Sequence, residues 1–206
     1  MGSIDTKRER LYAVVEKQLK VANLKFKEDG QGFVVWLKMP STFREMINGI
    51  EMFGVFVMVR EDALLIGVAP SAENGKLLEV PTEREREMIW LFHRLNSPDT
   101  EYRLNIMPES KLIICDTFVH AQALLTLEDP MNIVDTFCGL MSPLILTWKM
   151  IKELIDDKEL TADEVLRGTC SAESTGTFMN IKTVAMMKSI MKSYLDPKRE
   201  KIERNQ

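Results

Sequence analysis

Cysteine is scarce in this chain: Cys115, Cys138 and Cys170 stand far apart among 206 residues, and no C-x-x-C pair occurs. An odd, scattered set excludes a disulfide framework and a cysteine zinc half-site, and it fits reduced thiols in a cytoplasmic protein. Histidine is rarer still, with only His93 and His120, and no carboxylate pair completes a metal shell around either. A basic excess is also missing. The 27 lysines and arginines face 31 acids, for a net charge of -4, and no basic stripe is interleaved with aromatics, so nucleic-acid binding lacks electrostatic support. Nor does any apolar run reach the roughly 20 residues a membrane helix needs. The most lipid-like stretch, Leu140 to Ile151, is broken by Ser142, Pro143, Thr147 and Lys149. The stretch from Met1 to Arg10 has no apolar core of a secretory signal, so a cytoplasmic location without membrane contact is expected. Gly30 and Gly32 lack the third glycine and the strand-to-helix setting of a phosphate loop and read as turn chemistry.

What is present is the profile of a soluble globular chain, 45% hydrophobic and 28% charged, long enough to bury its own core. Leu11, Val14, Val15, Leu19 and Ala22 recur at helical steps and predict a first helix over 5–22. Lys25 to Lys27 and Phe33 to Met39 flank a Glu28-Asp29-Gly30 turn and predict a hairpin. The stretch 42–52 carries both turn and helix signals and is left unassigned. Val55 to Val59 and Leu64 to Ala69 are almost wholly apolar around a polar tip at Arg60-Glu61-Asp62. They predict a second hairpin at the centre of the sheet, with both faces largely covered.

Thr82-x-x-Glu85 has the form of a capping box, opening a second helix whose buried side is Met88, Ile89, Leu91, Phe92 and Leu95. Tyr102 to Ile106 and Leu112 to Val119 make a third hairpin, with His120 in the loop beyond. Thr126 is expected to cap a long helix lined by Ile133, Phe137, Leu144, Trp148 and Ile151, bent by Pro143. A small helix begins at Thr161. A Gly/Ser/Thr-rich link over 168–177 then leads to a last amphipathic helix. The chain is thus expected to hold an α+β domain over 1–157, one antiparallel sheet with helices packed on one side, and a C-terminal helical extension over 158–206.

The order of the Leu95-Asn96 helix end, the Tyr102-x-Leu104-x-Ile106 strand, the Leu112-Ile113-Ile114 strand and the Thr126-Leu127-Glu128 helix entry resembles the YbjN family. That family is similar in fold to the type III secretion chaperones and is described as a regulator of sensory or stress responses. The resemblance implies a chaperone-like fold, a homodimer and a bacterial cytoplasmic setting; it carries no catalytic, cofactor or metal residue onto this chain.

Cys115, Asp116 and His120 are the one cluster with reactive side chains. Neighbours on a strand point to opposite faces, however, so a buried inert thiol is the better reading. His93 reads as a surface histidine, and Glu83 to Glu87 as a solvated helix start favoured by the dipole. The expected function is therefore a non-enzymatic, protein-binding or chaperone-like regulatory module with no cofactor. Phe178, Ile181, Met187 and Met191 of the last helix are its candidate partner-binding residues; docking of the same stripe on its own sheet is the favoured reading, since an exposed stripe of that size would promote aggregation of a free monomer. The alternative is a small enzyme or ligand-binding protein with a pocket between sheet and helices.

Overall fold

The protein is described by a computed structural model over residues 6–39, 47, 49–72, 75–96, 101–125, 132–169, 185 and 188–192. Helix α1 (Lys7–Val21) starts with a capping box: the Thr6 hydroxyl accepts from the Glu9 amide and the Glu9 carboxylate from the Thr6 amide. Its Leu11, Val15 and Leu19 are buried. Strands β1 (Phe26–Glu28), β2 (Gly32–Lys38), β3 (Met52–Val59) and β4 (Ala63–Ser71) form successive antiparallel hairpins. A 3-10 turn (Thr82–Arg84) leads into α2 (Glu85–Leu95), followed by β5 (Arg103–Ile106) and β6 (Ile113–His120). Short α3 (Ala121–Leu125), long α4 (Ile133–Asp156) and α5 (Ala162–Thr169) complete the numbered elements, and residues 188–192 are again helical.

The fold is α+β, one six-stranded antiparallel sheet in the order β1-β2-β3-β4-β6-β5, with the β3–β4 hairpin at its centre. Alternation along each strand divides the side chains. Phe33, Val35, Phe53, Val55, Val57, Leu64, Ile66, Val68, Ile113 and Cys115 enter a core shared with α1 and α4. The opposite face is only partly covered. Trp36, Leu65 and Phe118 stay 39%, 38% and 55% exposed; within the strands of the central β3–β4 hairpin Leu65 is the one exposed residue, so that hairpin is largely covered on both faces, as expected.

Several local expectations fail for identifiable reasons. Thr82 and Glu85 form no capping box, because Pro81 launches a 3-10 turn with no side-chain cap and Glu85 instead pairs with Lys111 at 2.7 Å. Ile89 is 54% exposed; the buried stripe of α2 is Met88, Leu91, Phe92 and Leu95. His120 is the last residue of β6, paired with Ala63, not a loop residue. The long helix is capped by Asn132, whose side chain accepts from the Val134 amide, and it continues through Pro143. Thr126 lies outside the described residues.

Arg84 ties the later segments to α2. Its buried guanidinium donates to the Leu154, Lys158 and Leu160 carbonyls at 2.7, 3.0 and 2.5 Å. The Ala162 amide reaches Glu87 and the Trp90 indole reaches Asp163, so α5 packs on α2 and α4.

Candidate functional site

The side chains singled out by sequence do not converge. Cys115 sits fully buried on the core face of β6, its thiol pushed well above the usual range by burial and then by the Asp116 carboxylate. Asp116 projects from the opposite face. His120 shares that face but lies four residues along the strand, roughly 13 Å at the ordinary rise. Cys138 is buried in α4, and burial, followed by Asp135, takes its thiol up to about 12. Neither sulfur is a thiolate nucleophile at neutral pH. His93 is exposed on α2 and stacks on Trp90, ring centroids 5.8 Å apart. No cluster of three or more metal-type ligands occurs among the described residues.

Of the last-helix residues, Phe178, Ile181 and Met187 lie outside the described residues. Met191 is 2% exposed and belongs to the core cluster, and its neighbour Lys192 pairs with Asp135 at 3.0 Å.

The structure instead brings together an open cleft of about 1040 Å³ at the end of β6. Leu65, Phe118 and His120 line it from the sheet, Tyr102 and Arg103 from the entry to β5, Asn132 and Asp135 from the start of α4, and Lys188 and Lys192 from the C-terminal helical residues. Three cations (Arg103, Lys188, Lys192) face three acids (Glu101, Asp116, Asp135) in its lining, so the cleft has no strong field of either sign. Asp135 accepts from Lys192 through Oδ2, while Oδ1 is buried and has no hydrogen-bond partner among the described residues.

Gly139 gives the cleft its wall. A Cβ there would stand 2.3 Å from both Cζ and Oη of Tyr102, so the phenol rests on α4 only because position 139 has no side chain. We expect Gly139→Ala to cost about 2 kcal/mol through overpacking, in spite of its better helix propensity. Thermal and denaturant unfolding of the single and double variants with Tyr102→Ala should show a coupling of at least about 1 kcal/mol; additive effects would disprove the contact.

No family model, curated protein or solved structure matches this chain.

Burial raises the Asp116 carboxyl above its ordinary range, against the opposing pull of an Asn105 hydrogen bond and the Arg103 charge. An acid with a raised folded pKa binds its proton more tightly in the native state. Its ionisation therefore lowers stability as pH climbs from the unfolded value through the folded one. Asp116→Asn should raise the melting temperature at pH 7, and the gain should disappear below about pH 3.5, where both states of the wild type are protonated. An equal gain at both pH values would show that charge is not the cause.

Sequence reading overlooked the outer face of the sheet. Its signal was the parity of Trp36 against Phe33, Val35 and Leu37, and of Phe118 against Thr117 and Val119. Register then lines the outward apolar side chains up across strands: Met58 stands opposite Leu65, and Leu65 opposite Phe118. Gly54 leaves room for the Trp36 ring and Leu77 to lie over β3, and Gly67 does the same for Ile114.

Proposed function

We propose that this chain is a non-enzymatic protein-binding module, chaperone-like in the manner of the YbjN resemblance, which holds a partner polypeptide against the outer face of its sheet. The observation that carries this reading is the exposed apolar pair Leu65 and Phe118, directly opposed across β4 and β6 on the outer face of the sheet, with Trp36 exposed on the same face of β2. Large aromatic and aliphatic side chains left together in water are the ordinary mark of an interaction surface. The buried, protonated thiols and the separation of Cys115 from His120 support the non-enzymatic part. A cytoplasmic homodimer, as the resemblance implies, belongs to the same proposal.

The test is a paired Leu65→Lys, Phe118→Lys variant. Both positions point outward, so its melting temperature should stay close to that of the wild type, while recovery of a stoichiometric partner by affinity purification and the native mass of the assembly should both fall. Capture and mass unchanged in a folded variant would refute the surface.

The cleft favours one second reading. Its volume is comparable to small-molecule sites, which span roughly 300–1,000 Å³, and Asp116 and His120 reach it. In that case Asp116→Asn or His120→Gln alone would abolish function with folding intact; the module reading expects both to be tolerated.

A further inference from the structure

Within the alternating run Glu83 to Glu87, four of the five side chains are engaged. Glu83 pairs with Lys158 at 3.1 Å, the Arg84 guanidinium donates to three carbonyls, Glu85 pairs with Lys111, and the Glu87 carboxylate accepts from the Ala162 amide at 2.9 Å. Arg86 is exposed and has no partner among the described residues. It also stands in the first turn of α2, where the positive end of the helix dipole opposes a cation. Two turns further on, Arg94 is likewise exposed and unpaired among the described residues.

At 3.6 residues per turn, Arg86, Ile89, Trp90, His93 and Arg94 share one arc of about 140°, opposite the buried Met88, Leu91, Phe92 and Leu95. The middle of that arc is apolar, with Ile89 54% and Trp90 45% exposed. The indole is nevertheless held in place. Its Nε1–H donates to Asp163 at 3.2 Å, and its ring stacks on His93 at an interplanar angle of 29°. A fixed aromatic ring loses little freedom when a partner arrives, and tryptophan and arginine are the residue types that dominate binding energy at interfaces.

We infer that the solvent face of α2 docks an acidic amphipathic helix of a different protein, with apolar side chains on Ile89 and Trp90 and carboxylates on Arg86 and Arg94. This surface is separate from the outer face of the sheet and goes beyond that reading. Arg86 and Arg94 lie eight residues apart, about 12 Å along the axis, so the docked helix carries acids at a similar spacing with apolar residues between them. The exposed flank of a helix accepts the ridges of a second helix into its grooves. A second copy of this chain is a poor occupant, because two-fold pairing through Trp90 would set Arg86 of one copy against Arg94 of the other. Two free guanidinium groups on a chain of net charge -4 also fall short of the roughly six phosphate contacts of a nucleic-acid binder and the roughly four bases of a lipid headgroup patch. Nor do the chain's own later segments supply an acidic face. Residues 170–184 hold one acid and one base, and 193–206 hold three acids against four bases.

The probe is a lactam-stapled helical peptide of about 15 residues, with leucines on one face flanked by two glutamates about seven residues apart; its control carries glutamines in their place. Each is titrated into the isotope-labelled full chain, and the Trp90 indole Nε1–H resonance, assigned through Trp90→Phe, is followed by NMR. The glutamate peptide should shift that resonance and bind at least about tenfold more tightly than the glutamine control, with the difference shrinking in molar salt. Arg86→Glu with Arg94→Glu should lose the glutamate peptide and gain a lysine version of it, while melting as the wild type does, since neither side chain has a partner to lose. If the charge reversal unfolds the chain, Arg86→Gln with Arg94→Gln takes its place and should lose the glutamate peptide. Equal binding of the glutamate and glutamine peptides, or no shift at Trp90, would overturn the inference. So would full retention of the glutamate peptide by a folded double variant, binding of duplex DNA or anionic vesicles that the double variant loses, or nuclear Overhauser contacts from 170–184 or 193–206 to Trp90 in the free chain. The Leu65→Lys, Phe118→Lys variant should bind the glutamate peptide as the wild type does, which separates this surface from the sheet face; loss of binding there would move the peptide to the sheet and sink the α2 site.

Discussion

Arg84→Ala should lower the unfolding free energy by about 4 kcal/mol, because three charge-assisted hydrogen bonds vanish together and the carbonyls they served stay partly out of water. The Arg84 side chain is 5% exposed, and its acceptors belong to the last turns of α4 and to the segment that enters α5. No other side chain among the described residues bonds these three carbonyls. The loss should therefore be local as well as global: limited proteolysis near 157–161 should become faster, and α5 should detach from α2. Arg84→Lys should recover less than half of the stability, since an ammonium is a point donor and cannot span three carbonyls as the planar fork does. Denaturant titration of the wild type, Arg84→Lys and Arg84→Ala would settle the ranking. A loss below about 1 kcal/mol for alanine would mean that the carbonyls find water easily and that Arg84 is no staple.

Gly32→Ala should cost about 3 kcal/mol, the upper part of the range for an overpacked site. An added Cβ would lie 1.8 Å from the Val57 carbonyl oxygen and 2.8 Å from its carbon, so β2 and β3 would have to separate. Backbone cannot step aside as a side-chain tip can. Gly30 offers the contrast. It has a φ of +79°, and nothing lies within 4 Å of its missing Cβ, so Gly30→Ala should cost only the strain of a left-handed residue, about 1 kcal/mol. Parallel thermal melts would test the pair, and equal losses would refute the assignment of steric cause to one and conformational cause to the other. The Asp29 carboxylate, which accepts from the amides of Gln31 and Gly32 at 3.0 and 2.8 Å, should hold the turn in both variants.

These two glycines show where sequence reasoning ends. Both read as turn residues, two positions apart, and only the register of β2 against β3 shows that one of them faces a carbonyl. The same limit applies to Thr82 and Glu85, whose spacing suits a capping box but whose glutamate is taken by Lys111, a residue 26 positions away. It applies also to Asn96. The Leu95-Asn96 pair is legible as a helix end, yet its closing of the β5 edge depends on Leu104 arriving beside it.

By itself the amino-acid sequence determined the α+β class, three hairpins, the central place of β3 and β4, and the burial of Cys115, because period-two and period-3.6 patterns are local and record which side of each element avoids water. Tertiary structure alone decided the strand order, the carbonyl cage of Arg84, the close approach at Gly139, and the cleft beside Phe118 and His120. Each of these joins residues far apart in the chain, and no local pattern specifies which distant backbone group will meet a given side chain.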